Sequence, residues 1–494
     1  MDRRDFIRTV SKMTTASFLL GVGQSISCSG GRPAGSGGGP NIILLIADNL
    51  GWKDLGCYGN PDIGTPSIDR LAGEGMRFTN AFITASSCSP SRASIITGQY
   101  PHTNGVTGLT HIRKRLMLSP FATTLPEVLC ASGFNTAIEG KWHVAPYLPT
   151  RWYGYRERLS GMLPKDFFIT SSEKALRFID ENKDNTFYLE LNYMDTHRDN
   201  YGEYQFADGF SVDPEEIAIP DYYVMPDWPE IRTDVARYYS HVSKMDMMIG
   251  EVLKKLDELG IAENTLVCFV SDNGAQFPGG IMSLYDRGIG TPLIVRWPGR
   301  IPAGIVNDDL VSTIDIMPTF LDAAGCAVPT GVQGESMLRL AAGDNDNDEA
   351  LREAVFAEMT YHVDYLPMRA ARTKKWKYIR NYSDDAIGLD QLAHKEWAHR
   401  LCELPNHGWL RPRVPEELYD LENDPNEQLN LAEDSALAEE LKMMRSILDR
   451  HMRDTRDPFL GKEFERNYSP EDAERRGEKP YFQCSLIETT NERG

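Results

Sequence analysis

The chain has 494 residues, more than one compact domain usually holds, so a large core with a smaller second unit is the expected arrangement. A formal net charge of −20 argues against nucleic acid or an anionic membrane as partner, because both need a basic face. Eight cysteines, scattered from Cys28 to Cys484, lack the spacing of a zinc site or a dense disulfide framework, and no pairing can be read from them.

Residues 1–39 read as an export signal and tether. Arg3-Arg4-x-Phe6-Ile7-Arg8, followed by an apolar run to about Val22, resembles a twin-arginine signal, with an ordinary secretory signal as the alternative. Cys28 opens a Gly/Ser-rich stretch suited to a tether from a lipidated cysteine, although Ser25 stands where a lipidation motif usually has leucine. The expected location is therefore the periplasm, with membrane attachment only through lipidation at Cys28. No later segment has the length and apolarity of a membrane-spanning helix.

The continuous apolar run Asn41–Ala47 predicts a strand buried on both faces of a parallel sheet, with Asp48 at the end where such sheets place ligands. A cap and first-turn proline, Thr65-Pro66, start a helix that runs to residues 73–75. Ser89 and Pro90 then read as N-cap and first position of a helix that stops at Gly98. Cys88 thus lies at a helix N-terminus, where free N–H groups favour an anion, and Arg92 is one turn in. Strands near 134–138, 186–191, 265–270 and 292–295 alternate with helices at 173–182, 234–259 and 315–324. The alternation predicts an α/β domain over 40–350, a mostly parallel sheet with helices on both faces. Residues 342–349 read as a solvated linker, since the calcium-loop glycine and terminal glutamate are missing around Asp344, Asp346 and Asp348. Strands at 355–359 and 376–379 and a helix at 435–453 predict a smaller C-terminal α+β unit, 351–494, with a loop-like tail.

Asp48-Asn49 and Asp272-Asn273-Gly274 each follow a predicted parallel strand, so they face one crevice, and their oxygen donors suit calcium or magnesium rather than zinc. In Gly140-Lys141-Trp142-His143, an extended backbone would put Lys141 and His143 on one face. His197, just past the strand at 186–191, is suited to proton transfer near neutrality.

Cys88-x-Pro90-Ser91-Arg92, with Thr97-Gly98 after four further residues, resembles the signature of the type I sulfatases. Phe277-Pro278-x-Gly280, Pro367-Met368-Arg369 and the run from Glu417 to Asn426 extend the likeness over nearly the whole chain past residue 40, most closely to the heparan N-sulfatase branch. The resemblance implies an alkaline-phosphatase-like fold and oxidation of Cys88 to formylglycine by a separate maturating enzyme. The hydrated aldehyde would then attack sulfur through one hydroxyl and expel sulfate through the other. It implies one calcium ion per chain, with magnesium as the alternative, at Asp48, Asn49, Cys88, Asp272 and Asn273. Arg92 is carried over as catalytic, Lys141 as a sulfate ligand, His143 as support for the diol, and His197 as sulfate ligand and acid. The implied substrate is a sulfated saccharide of the heparan type.

Two positions depart from the family. Asn49 replaces a second aspartate, which predicts weaker cation binding, and Ile281 replaces the lysine or arginine that normally meets sulfate. Arg287 is the nearby candidate to substitute, and His362 and Arg369 are candidates to line the pocket mouth and read the sugar. The alternatives are a weakened, sulfatase-like glycan-binding protein, and an O-sulfatase or phosphoesterase of the same superfamily.

Overall fold

In the computed structural model, residues 39–460 are described, apart from 113–115, 146–148, 161–171, 200–201, 205–206, 342–349, 390–391, 405–409 and 411. The export signal, Cys28, the polar linker at 342–349 and the tail after residue 460 lie outside the described residues. Among the described residues, eight strands form one sheet: β1 (Asn41–Ala47), β2 (Met76–Phe82), β3 (Asn135–Gly140), β4 (Glu157–Arg158), β5 (Phe187–Tyr193), β6 (Thr265–Ser271), β7 (Leu293–Arg296) and β8 (Ile305–Ser312). Their spatial order is β4-β3-β5-β1-β6-β7-β2-β8. All neighbours pair parallel except around β7, which is antiparallel to both β6 and β2. Because β7 reverses twice, β2 runs the same way as β6, and the carboxyl ends of β1, β2, β3, β5 and β6 share one edge.

The helices that matter here are α1 (Pro66–Gly73), α2 (Cys88–Thr97), α3 (Leu125–Ala131), α4 (Ser172–Glu181), α5 (Pro229–Glu258), α6 (Ile316–Ala323) and α7 (Ala438–Asp454). Alternate side chains of β1 enter two cores. Ile43, Leu45 and Ala47 pack with α1, α4 and α5, whereas Ile42, Leu44 and Ile46 pack with α2, α3 and α6. Burial on both faces is why β1 reads as an unbroken apolar run. The sheet is therefore the expected α/β layer with helices on both faces. α5 starts at Pro229, a turn ahead of the expected Asp234, because the proline occupies a first-turn position that needs no amide donor.

A second, antiparallel sheet of order β12-β11-β10-β9 is built from β9 (Val355–Tyr361), β10 (Tyr365–Arg372), β11 (Trp376–Asn381) and β12 (Glu416–Asp420). Ala371, Tyr378 and Leu418 pack on Leu441, Met444 and Leu448 of α7. The opposite face, through Met359, Met368 and Ala370, joins the core beneath α5. The two sheets thus share apolar packing. Cys57, Cys88, Cys130, Cys268 and Cys326 carry free thiols, and Cys402 is disulfide-bonded. No described helix is long and apolar enough to cross a membrane.

The loop after β1 is held by a buried knot. Asp54 is fully buried and accepts hydrogen bonds from the hydroxyls of Tyr222 and Tyr223, and of Tyr238 at 3.0 Å and Tyr239 at 3.4 Å. The hydroxyl of Tyr238 in turn accepts the amide of Gly51 at 3.0 Å, so α5 fixes the segment that begins with Asp48 and Asn49. Asp54→Ala strands several buried hydroxyls. The expected loss is about 3 kcal/mol or more, read as a lower denaturation midpoint, and an unchanged midpoint would show that the knot contributes nothing.

His451 of α7 stacks on Phe356 at 3.8 Å between ring centroids and meets Tyr100 edge-on at 4.6 Å. Burial, then the neighbouring His102, push its imidazole down to about 3. A histidine depressed by folding contributes stability above its unfolded value of 6.5, and that stability is lost as pH falls from there toward 3. The loss amounts to roughly 5 kcal/mol at most. His451→Phe, which keeps the stack, should therefore flatten the fall in stability between pH 6.5 and 4, measured by denaturant titration at each pH.

Candidate active site

Cys88 is the first residue of α2, with Ser87 as the cap, so the helix starts earlier than the Ser89-Pro90 pair suggests. Pro90 instead sits inside the first turn, where a missing N–H costs nothing. Gly98 ends the helix in the left-handed conformation, at φ 63°. The Cys88 sulfur lies 3.7 Å from Oδ1 of Asp48 and 3.9 Å from Oδ1 of Asn49. Burial pushes the thiol far above its ordinary range, with Lys141 opposing, which disfavours the thiolate form of the unmodified residue.

Donor atoms of Asp48, Cys88 and Asp272 all lie within 4.8 Å of one another. Asn49 adopts a left-handed backbone, φ 64°, that lets its amide donate to Oδ1 of Asp272 at 3.1 Å. Its side chain meets the amide of Asn273 in a very short contact, and Oδ1 of Asn273 is buried without a hydrogen-bond partner. Asp48, Asn49, Asp272 and Asn273 are fully buried. Two carboxylates, two amides and an orphaned amide oxygen in a dry pocket fit a hard divalent cation.

The carboxylates are set by their neighbours. Burial would raise Asp48, but Lys141, with Nζ at 2.6 Å, then His197 and Arg92 outweigh it and hold the carboxyl well below the usual range. Burial carries Asp272 the other way, up to about 6, despite Arg92 Nε at 2.7 Å, and the charge of Asp48 adds to the rise. A cation among them would favour the ionised form of both.

The anion side is formed by Arg92 and Lys141. Arg92 also donates to Oδ1 of Asn192 and to the carbonyl of Lys141 at 3.5 Å, while its Nη2, 3.8 Å from Asp48, makes no hydrogen bond. The backbone of residues 140–143 is not extended as expected. β3 ends at Gly140, which is left-handed at φ 82° and where any Cβ would lie 2.2 Å from the Asn192 carbonyl oxygen, and His143 is left-handed at φ 54°. Lys141 turns to Asp48, Trp142 packs on Tyr153 and Tyr155, and His143 turns to His111.

His111 is a residue the sequence did not reveal, because it stands in no motif. Its Nδ1 is 2.6 Å from Nε2 of His143, with the rings stacked at 4.8 Å. Burial, Lys141 and His111 push His143 well below its ordinary value, so it is neutral at physiological pH. His197 follows β5, where Thr196 donates to the Asp48 carbonyl at 2.6 Å. Nδ1 of His197 donates to the carbonyl of Arg198, so proton exchange with a substrate falls to Nε2. His362 Nδ1 reaches Oγ of Ser87, the residue before Cys88, at 2.9 Å.

Two expected substrate contacts lie elsewhere. Arg287 donates to the Asn426 carbonyl at 3.1 Å and covers the Tyr285 ring at 4.6 Å, turned into a junction between the two sheets rather than toward Cys88. Arg369 is held by Asp457 at 2.5 Å and by the Met359 carbonyl at 2.9 Å, over the Phe459 ring, as part of the second unit's packing. Ile281 is buried in the apolar core.

Residues 40–326 match the Sulfatase family model, and residues 281–394 match the model described as N-sulphoglucosamine sulphohydrolase, C-terminal. Human N-sulphoglucosamine sulphohydrolase is 32% identical over 85% of this chain and 91% of its own length. An ulvan-active sulfatase of Formosa agariphila is 30% identical over 80% of this chain and 76% of its own. Among solved structures, BT4656 in complex with its substrate D-glucosamine-2-N,6-O-disulfate superposes with a TM-score of 0.64 at 22% identity, covering 85% of this chain and 98% of that one. The phosphonate monoester hydrolase of Silicibacter pomeroyi gives 0.64 at 18% identity over 84% and 96%, a likeness of fold.

If Asn49 is a cation ligand, restoring a carboxylate there should tighten binding. Asn49→Asp is expected to raise calcium affinity about tenfold in calorimetric titration, by added ligand charge, and an unchanged affinity would remove Asn49 from the ligand set.

Proposed function

Since the chain belongs to the sulfatase family, we propose that it hydrolyses the sulfamate of N-sulfoglucosamine in heparan-type saccharides, with Cys88, as formylglycine, at the reacting centre. The observation that carries this reading is the convergence of Cys88, Arg92 and Lys141 on the paired carboxylates Asp48 and Asp272 in one buried crevice. The choice of a sulfated amino sugar is supported by the relatives, of which human N-sulphoglucosamine sulphohydrolase is matched over most of both chains.

Formylglycine at position 88, made by a maturating enzyme, would supply a hydrated aldehyde in place of the thiol. Asp48, Asn49, Asp272, Asn273 and the residue-88 side chain would hold a calcium ion, which would supply positive charge to polarise the sulfo group. Around them, Lys141 and Arg92 provide the cations that orient the sulfo group, and both are kept charged by their carboxylate neighbours. His197 delivers a proton through Nε2 to the departing nitrogen. His143, neutral and braced by His111, keeps an uncharged hydrogen-bonding edge beside the nucleophile. His362 holds Ser87 and so the start of α2. In the same reading residues 1–39 direct export, to the periplasm or to the envelope membrane through Cys28.

A second reading, an O-sulfatase on another sulfated glycan, is favoured by the comparable identity of the ulvan-active relative. Enzyme co-produced with a formylglycine-generating partner should release sulfate from N-sulfoglucosamine at least about tenfold faster, in kcat/KM, than from glucosamine 6-O-sulfate, which is about 1.4 kcal/mol of transition-state discrimination. Turnover of O-sulfated sugars alone would replace the sulfamate reading with the second. Lys141→Ala should lower kcat/KM by about 100-fold or more, on the scale of losing one preorganised donor.

A further inference from the structure

Away from Cys88, a cavity of about 110 Å³ opens where the loop after β1 meets the segment after β12. It shares no lining residue with the crevice described above. Three of its lining residues are cations, Lys53, Arg287 and Arg372, against two carboxylates, Asp286 and Glu427. Those carboxylates are already engaged from behind: Lys377 lies 2.6 Å from Asp286 and 3.3 Å from Glu427. The local balance is positive inside a chain of formal charge −20.

Two of the cations, Arg372 and Lys53, are also under-satisfied. Arg372 is only 7% exposed, is 3.2 Å from Asp286, and leaves Nη1 buried with no hydrogen-bond partner. The ammonium of Lys53 lies 5.0 Å from the Trp52 ring centre and 5.5 Å from that of Tyr222. Burial lowers the pKa of Lys53, with only Asp286 opposing, so a further negative group would stabilise its charged form. The volume is several times the roughly 10–15 Å³ that one water needs. It accommodates a tetrahedral oxyanion but not a sugar ring together with its substituents.

We propose that this junction is a second oxyanion site, which holds one sulfate group between Lys53, Arg287 and Arg372. The group comes either from inorganic sulfate or from a sulfo substituent that reaches in from a saccharide lying outside. Trp52 and Tyr222 supply the apolar wall that such a substituent would pass. The site is distinct from the one assigned to Cys88, because its lining includes none of the residues that form that crevice.

Crystals of the full chain, grown free of sulfate, would be soaked in sodium selenate and measured at the selenium edge. A selenium peak among Lys53, Arg287 and Arg372 is expected, and Lys53→Gln should lower its occupancy at least threefold while any peak at Cys88 stays unchanged. In a second soak with a sulfated disaccharide, density running from the same position into a sugar marks a saccharide-borne group, and selenate binding alone marks the free anion. Both outcomes support the site. No peak with either probe, or a peak of equal occupancy in Lys53→Gln, overturns it.

Discussion

The whole site depends on the burial of Asp48. A carboxylate with no exposure survives ionised only where nearby cations and hydrogen bonds replace water. Lys141 comes from the end of β3, Arg92 from α2, and the Thr196 hydroxyl that holds the Asp48 carbonyl from the loop after β5. These positions coincide only because β1, β3 and β5 run parallel and finish at one edge. The electrostatic requirement of one side chain therefore fixes how three separate segments must approach, and the packing of β1 into two apolar cores makes that approach rigid.

Arg92 and Lys141 each serve both signs of charge at the site. They neutralise the carboxylates that suit a cation, and they border the helix N-terminus that suits an anion. Asn49 and Ile281 reduce charge on the two sides, but the geometry of the remaining groups is intact. The imidazole pair His111–His143 adds a neutral, braced edge in the same region. Asn49 lowers the negative charge of the crevice by composition rather than by misplacement, since its backbone is anchored to Asp272.

Much of this is legible in the sequence. β1 and β6 announce themselves because burial on both faces demands apolar runs, β5 is legible despite Glu190 and Asn192, and the residues just past these strands are ligand candidates for a topological reason. β2 and β8 were not recognised. Each has polar, partly exposed positions along its length, and neither makes an apolar run. β10 and β12 were hidden in the same way by their charged residues, whose partners lie far away in sequence. Side-chain direction was harder to read than position. An extended strand would put Lys141 and His143 on one face, whereas the left-handed Gly140 and His143 turn Lys141 to Asp48 and His143 to His111. Arg287 and Arg369 are near plausible sites in sequence but are claimed by Asn426 and Asp457, partners that no local pattern discloses.

The central claim is that residue 88 acts only after conversion, because burial among carboxylates disfavours ionisation of its thiol. The direct measurement pairs intact-protein mass with sulfate release on preparations converted to different extents, since formylglycine is about 18 Da lighter than cysteine. Turnover per molecule should rise in proportion to the lighter fraction and vanish where that fraction is zero. Full turnover by protein carrying only cysteine at position 88 would contradict the account.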